Sequence, residues 1–110
     1  MTTVVIIPSD GMGRGDDALG QKILASFLGK AGALEGLTAV CLYNGGVKLL
    51  VEGSPALQGL AALEARGVDV VACGTCVDHF GLRERVRVGV VGTMDDIVSR
   101  LDRAAKVVTL

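Results

Sequence analysis

Short runs of β-branched residues recur along this chain, and the segments between them carry apolar residues at helical spacing. Thr3 to Ile7 (TVVII) is continuous and stops at Pro8, which predicts a parallel strand buried on both faces. Leu37 to Leu42, Val68 to Ala72, Val88 to Val91 and Lys106 to Leu110 predict four more strands. Asp16-Asp17 opens a helix with Leu19, Ile23, Leu24, Phe27 and Leu28 on its apolar stripe and Gly29 and Gly32 at its end. Ser54-Pro55 predicts the start of a second helix, buried through Ala56, Leu57, Leu60, Ala61 and Leu63 and closed by Arg66-Gly67. Gly81 to Arg87 reads as a short polar helix or turn. Thr93-Met94-Asp95-Asp96 has capping-box spacing and leads a last helix with Ile97, Val98, Leu101 and Ala104 on one side. Strands alternating with helices mean βαβ units, right-handed crossovers and a parallel sheet with helices on both faces.

Composition fits a single α/β domain over residues 1–110. A chain of 110 residues supports one core, and with half its residues hydrophobic but only two Phe and one Tyr, that core must be aliphatic. Eleven basic and twelve acidic residues leave a net charge of -1, with no basic block and no aromatic platform, which argues against nucleic-acid binding. The apolar start from Met1 to Pro8 lacks the basic residues, length and cleavage site of a secretory signal, and no run approaches a membrane span. A cytoplasmic location is expected. Three cysteines in a reducing compartment then argue for free thiols or transient disulfides rather than a disulfide framework.

The chemistry concentrates in Val68 to Gly81 (VDVVACGTCVDHFG). The predicted third strand delivers Cys73-Gly74-Thr75-Cys76 into what reads as a loop, which also holds Asp78 and His79, the only histidine. Two thiols three positions apart at a strand end invite sulfur, redox or metal chemistry, and backbone N–H groups in such a turn can stabilise a thiolate. Cys41, inside the second strand, reads as core. At the carboxyl end of that strand, Tyr43-Asn44-Gly45-Gly46-Val47-Lys48 reads as a loop on the sheet edge where parallel folds bind ligands. Asn44 tolerates left-handed backbone geometry, and Lys48 is a solvated charge or a cation for a thiolate or anion. His79 reads either as a solvated loop histidine or as a second such cation. Gly13-Arg14-Gly15-Asp16-Asp17-Ala18 matches G-x-G-x-x-A, but two carboxylates occupy the helix start where a pyrophosphate would sit, so helix capping is the preferred reading. The apolar Val47, Leu49, Leu50 and Val51 must either pack locally or form a subunit contact.

Several of these motifs, taken together and in order, resemble a known family. Gly13-x-Gly15-Asp16 with Leu19-Gly20, then Tyr43 to Leu49 (YNGGVKL), Glu52-Gly53-Ser54-Pro55, and Cys73-Gly74-Thr75-Cys76 before a short strand are similar to the DsrE-like domain of the sulfurtransferase-like selenium metabolism proteins called YedF. The resemblance spans nearly the whole chain. It implies a DsrE/F-like three-layer α/β/α fold with a five-stranded parallel sheet, a homo-oligomer, no cofactor, and a persulfide carried on a cysteine of the Cys73–Cys76 segment. Its motifs include Asn44, Gly45, Gly46, Gly13, Asp16, Gly74 and Thr75, taken as loop or substrate positions, and it points to Cys73 and Cys76 as catalytic candidates; Lys48 and His79 join them as the cations that could lower a thiol pKa. YedF proteins usually carry an N-terminal domain similar to the TusA sulfur carrier, which this chain lacks, so the expected donor or acceptor is a separate, TusA-like protein. The wider superfamily often places Arg-Gly after the cysteine loop, where this sequence has Phe80-Gly81.

Four function classes follow from the motif. A sulfur carrier would accept sulfane sulfur, or selenium, on Cys73 or Cys76 and pass it to a partner thiol. A redox protein would cycle the pair between dithiol and disulfide, although neither Pro8 nor Pro55 has the placement of a thioredoxin cis-proline. A zinc protein would use Cys73, Cys76 and His79 with Asp78 or a neighbouring subunit as the fourth ligand. A non-catalytic regulator or assembly protein would oligomerise through Val47 to Val51.

Overall fold

A computed structural model describes residues 1–110. Five parallel strands, β1 (Thr3–Ile7), β2 (Leu37–Leu42), β3 (Asp69–Cys73), β4 (Val90–Gly92) and β5 (Lys106–Thr109), form one sheet in the order β4-β3-β2-β1-β5. Four α-helices, α1 (Asp17–Lys30), α2 (Leu57–Ala65), α3 (Gly74–His79) and α4 (Met94–Arg103), connect them, with 3-10 segments at Ala31–Ala33, Asn44–Leu50 and Arg83–Arg85. The α/β class and the five-stranded parallel sheet expected from the sequence are both present.

Crossover handedness explains the layers. The steps from β1 to β2 to β3 run in one direction, so right-handed crossovers place α1 and α2 on one face. The step from β4 to β5 crosses the whole sheet in the opposite direction and carries α4 to the other face. Side chains alternate accordingly. Val5, Ile7, Val40, Leu42 and Val70 pack with Leu24, Leu28, Leu60 and Leu63 of α1 and α2. Val4, Ile6, Ala39, Cys41, Val71 and Cys73 face Ile97 of α4. No helix is long and apolar enough to cross a membrane.

Local signals behave as their chemistry dictates at the starts of α1 and α4. The Asp16 carboxylate accepts the Leu19 N–H at 2.8 Å and caps α1. Thr93 Oγ1 accepts the Asp96 N–H at 3.2 Å while the Asp96 carboxylate accepts the Thr93 N–H at 2.8 Å, which completes the capping box of α4. The start of α2 differs from expectation. Ser54 Oγ accepts the Ala56 N–H at 3.2 Å inside a turn, and the helix proper begins at Leu57. The fourth strand begins at Val90 rather than Val88, because Gly89 takes a φ of +81° and packs against Val70 before the chain becomes extended.

Two apolar segments also differ from their sequence reading. Leu19 and Ile23 of α1 stay 55% and 41% exposed, because the helix buries Gly20, Leu24 and Leu28 and the backbone of Gly11 and Met12 lies against Gly20. Val47, Leu49, Leu50 and Val51 are all buried in the chain's own core, so this segment packs locally and offers no surface for oligomerisation. It is a 3-10 helix rather than an open loop, and it lies over the end of β1. The close approach falls at Gly46, where a Cβ would collide with the Ile7 carbonyl.

That contact predicts opposite outcomes for two glycine substitutions. Gly46→Ala should destabilise the protein by about 1–3 kcal/mol through overpacking against rigid backbone. Gly29→Ala, at an exposed α1 position where a Cβ meets nothing, should stabilise it by up to about 1 kcal/mol. Urea denaturation midpoints of the two variants check both signs.

Candidate functional site

The site forms where the chain leaves β2 and β3, neighbouring parallel strands whose ends lie in register at Leu42 and Ala72. β3 ends at Cys73 with extended geometry, and α3 begins at the next residue. The predicted cysteine loop is therefore a short helix. Gly74 permits this abrupt start, since a Cβ there would lie 2.8 Å from the Gly92 carbonyl oxygen at the end of β4. Cys73 becomes the N-cap residue, Thr75 faces solvent, and Cys76 falls in the first turn.

The two thiols have unequal surroundings. Cys73 is 4% exposed and packs with Ile6, Cys41 and Val71 on the α4 side of the sheet. Cys76 is half-buried at the surface, three residues along from Cys73 at the start of α3. From the β2 side, Asn44 donates its backbone N–H to Cys76 Sγ at 3.1 Å. Asn44 can aim that N–H because its φ is +48°, the only positive value outside glycine, as its residue type allows. Gly45 and Gly46 follow it into the 3-10 turn, with Gly45 facing the Ser9–Asp10 backbone.

Burial pushes the Cys76 thiol above its ordinary value, and the neighbouring Cys73 adds to the rise. The Asn44 N–H opposes them and does not prevail. Burial likewise raises Cys41, against a lowering influence from Arg100, and leaves Cys41 fully enclosed in the core as expected.

The remaining candidates fall around this centre or away from it. The Lys48 ammonium sits 4.5 Å from the centre of the Phe80 ring, and His79 meets the same ring edge-on at 5.0 Å. Both belong to the flank of the site, yet neither is among the groups acting on the Cys76 thiol. Asp78 forms a two-pronged ion pair with Arg83, at 2.7 and 3.0 Å, which holds its carboxyl below the usual range. Arg83 also lies against Gly74 at the start of α3. In the sequence it reads as one charge of a polar turn, and its spacing of five from Asp78 is not a helical pairing that would give it a partner. Gly13, with a φ of +77°, and Asp16 serve the β1–α1 connection.

The helical course of residues 74–79 also bears on the zinc reading. Residues three apart on a helix share a face, so Cys73 and Cys76 are neighbours, while His79, a further turn along, meets the Phe80 ring. No three His, Cys, Asp or Glu side chains gather as a metal site. A cavity of about 90 Å³ beside Lys48, lined by Asp10, Gln21, Leu49, Ser54 and Pro55, is well below the ~300 Å³ that small-molecule pockets begin at.

Comparison with known proteins now fixes the family. The DsrE/DsrF-like family model matches residues 2–110. The chain belongs to the DsrE/DsrF-like family. Among solved structures, the ychN protein from E. coli superposes with a TM-score of 0.72 at 19% identity, each chain covered in full. A protein of unknown function from Methanobacterium thermoautotrophicum gives 0.70 at 22% identity, again with both chains fully covered. A conserved protein of unknown function from Bacteroides thetaiotaomicron gives 0.65 at 16%, covering 98% of this chain and 94% of the other. At these identities the likeness establishes the DsrE-type fold. A search of curated proteins finds no match.

The burial of the two thiols sets a labelling order. Cys76 should be the one cysteine alkylated by iodoacetamide in the folded protein, with a rate still rising with pH beyond the ordinary thiol range, while Cys41 and Cys73 label only after denaturation. Peptide-resolved mass spectrometry across a pH series checks this; complete labelling of Cys76 at neutral pH, as by a stabilised thiolate, would contradict it.

Proposed function

We propose that this DsrE/DsrF-like chain, a relative of the DsrE-like domain of YedF proteins, is a sulfur-handling protein that takes up sulfane sulfur or selenium on Cys76. The observation that carries the reading is the accessible Cys76 Sγ with the Asn44 N–H directed at it. In the transfer, the Cys76 thiolate attacks the outer sulfur of a donor persulfide. The S–S bond of the donor breaks, a new S–S bond forms at Cys76, and the donor leaves as a thiolate.

The raised thiol pKa has two opposing effects on that step. It lowers the thiolate fraction at neutral pH, and it makes the thiolate that does form a stronger nucleophile. Uptake should therefore accelerate as pH rises. The Asn44 N–H would steady negative charge on Cys76 Sγ as the thiolate forms.

A surface thiol flanked by Lys48, Phe80, His79 and the Asp78–Arg83 pair suits delivery from another protein, and a TusA-like carrier is the proposed donor or acceptor. Self-association is proposed through the exposed apolar residues of α1 and α4, Leu19, Ile23, Met94 and Val98, in place of the Val47 to Val51 segment. A reducing, cytoplasmic setting would keep the three cysteines as thiols. Disulfide redox is the second reading, favoured by the placement of Cys73 at the N-cap and Cys76 in the first turn of α3.

Donor thiol release tests the main reading. Reduced protein is mixed with a small-molecule persulfide, and the liberated donor thiol is measured. Wild type and Cys41→Ala should release about one equivalent per chain, the stoichiometry of a single accessible acceptor thiol, and Cys76→Ser should release almost none. Undiminished release by Cys76→Ser would sink the assignment.

A further inference from the structure

We propose that Cys73 is a resolving thiol, which attacks a persulfide on Cys76 to form a Cys73–Cys76 disulfide and discharge the carried sulfur as sulfide. This inference rests on Cys76 being the acceptor and adds a second reacting residue to the same site. Access is the first argument. Cys73 is 4% exposed, so a donor protein cannot reach it, yet as the N-cap of α3 it lies on the same side of the helix start as Cys76, three residues on. One thiol faces partners, and the other lies behind it, packed with Ile6, Cys41 and Val71.

Backbone geometry supplies the second argument. Positions three apart at a helix start hold their Cβ atoms about 5–6 Å apart. A disulfide brings its Cβ atoms to about 3.5–4.5 Å, so closing the bond requires the two to draw together by about 1–2 Å, a local shift at the helix start. Cys73 has extended N-cap geometry, and its side chain makes no capping bond to the helix, which leaves the sulfur uncommitted. Asn44 donates its N–H to Cys76 Sγ, and this inner sulfur is the atom that Cys73 must reach.

The step is balanced without an external oxidant. The Cys73 thiol loses its proton and its sulfur attacks Cys76 Sγ. A new Sγ–Sγ bond forms while the bond to the outer sulfur breaks, and hydrosulfide leaves and takes up the proton. The Cys73 sulfur is oxidised and the outer sulfur is reduced to sulfide. A dithiol reductant would then restore both thiols. The chain would thus hold its sulfur for a limited time, during which an acceptor competes with Cys73.

Intact mass and sulfide release after loading and removal of excess donor test the proposal. Wild type should pass from the persulfide to a species two hydrogens lighter than the reduced protein, with equimolar sulfide and a rate independent of protein concentration. Cys73→Ala should keep its persulfide at least about tenfold longer, since it lacks the intramolecular nucleophile. Circular dichroism confirms that the variant is folded, and Cys73→Ser serves if it is not. Peptide mapping of wild type, which needs no variant, should place the disulfide between Cys73 and Cys76. A wild-type persulfide as long-lived as that of Cys73→Ala, with no sulfide, would overturn the resolving role and leave the acceptor reading intact. Failure of every form to liberate donor thiol would instead remove the acceptor reading, and this one with it.

Discussion

The parallel pairing of β2 with β3 is the constraint on which the candidate site depends. It sets Leu42 beside Ala72, so the segments that leave the two strands emerge together at the carboxyl edge of the sheet. One segment turns into a 3-10 helix and the other into α3. Their meeting point is the contact between the Asn44 N–H and Cys76 Sγ. A slip in strand register would separate donor from sulfur and would also turn core side chains toward the wrong layer. The same pairing that fills the core therefore positions the reactive sulfur.

Electrostatics at the site are set by burial more than by charge. Lys48, His79 and Arg83 all lie near α3, yet Lys48 is spent on the Phe80 ring and Arg83 on Asp78. The Asp78–Arg83 pair is solvated on both sides, and such surface pairs contribute little to stability. What remains on Cys76 is partial enclosure, a second thiol and one backbone donor. That balance keeps the sulfur protonated when idle, in contrast to cysteines activated by an adjacent cation.

Much of this was legible before any coordinates, for physical reasons that differ from element to element. The strands announced themselves because a parallel sheet covered on both faces needs continuous β-branched runs, as in Thr3 to Ile7. Thr93 and Asp96 announced α4 because a capping box is a local interaction between residues three apart. The left-handed Asn44 was anticipated from its residue type. α3 was not, since six residues are too few to show a helical period and Gly74 and Thr75 are poor helix formers. The fate of Val47 to Val51 is not encoded locally, because whether an apolar run packs inward depends on what the tertiary fold sets beside it. Lys48 and Arg83 needed the same knowledge: their partners follow from where α3 comes to rest, which no local pattern encodes.

The crossover from β4 to β5 has a consequence for how the molecule assembles. β5 pairs with β1, so residues from the two ends of the sequence lie side by side, as Thr3 does with Lys106. Contacts so distant along the chain form late, because a long loop must close before they yield any stabilisation. Until that closure, the layer capped by Ile97 is open, and with it Cys41 and Cys73. A chain caught in that state exposes two thiols that the finished protein conceals, so oxidants would threaten its folding more than its folded form.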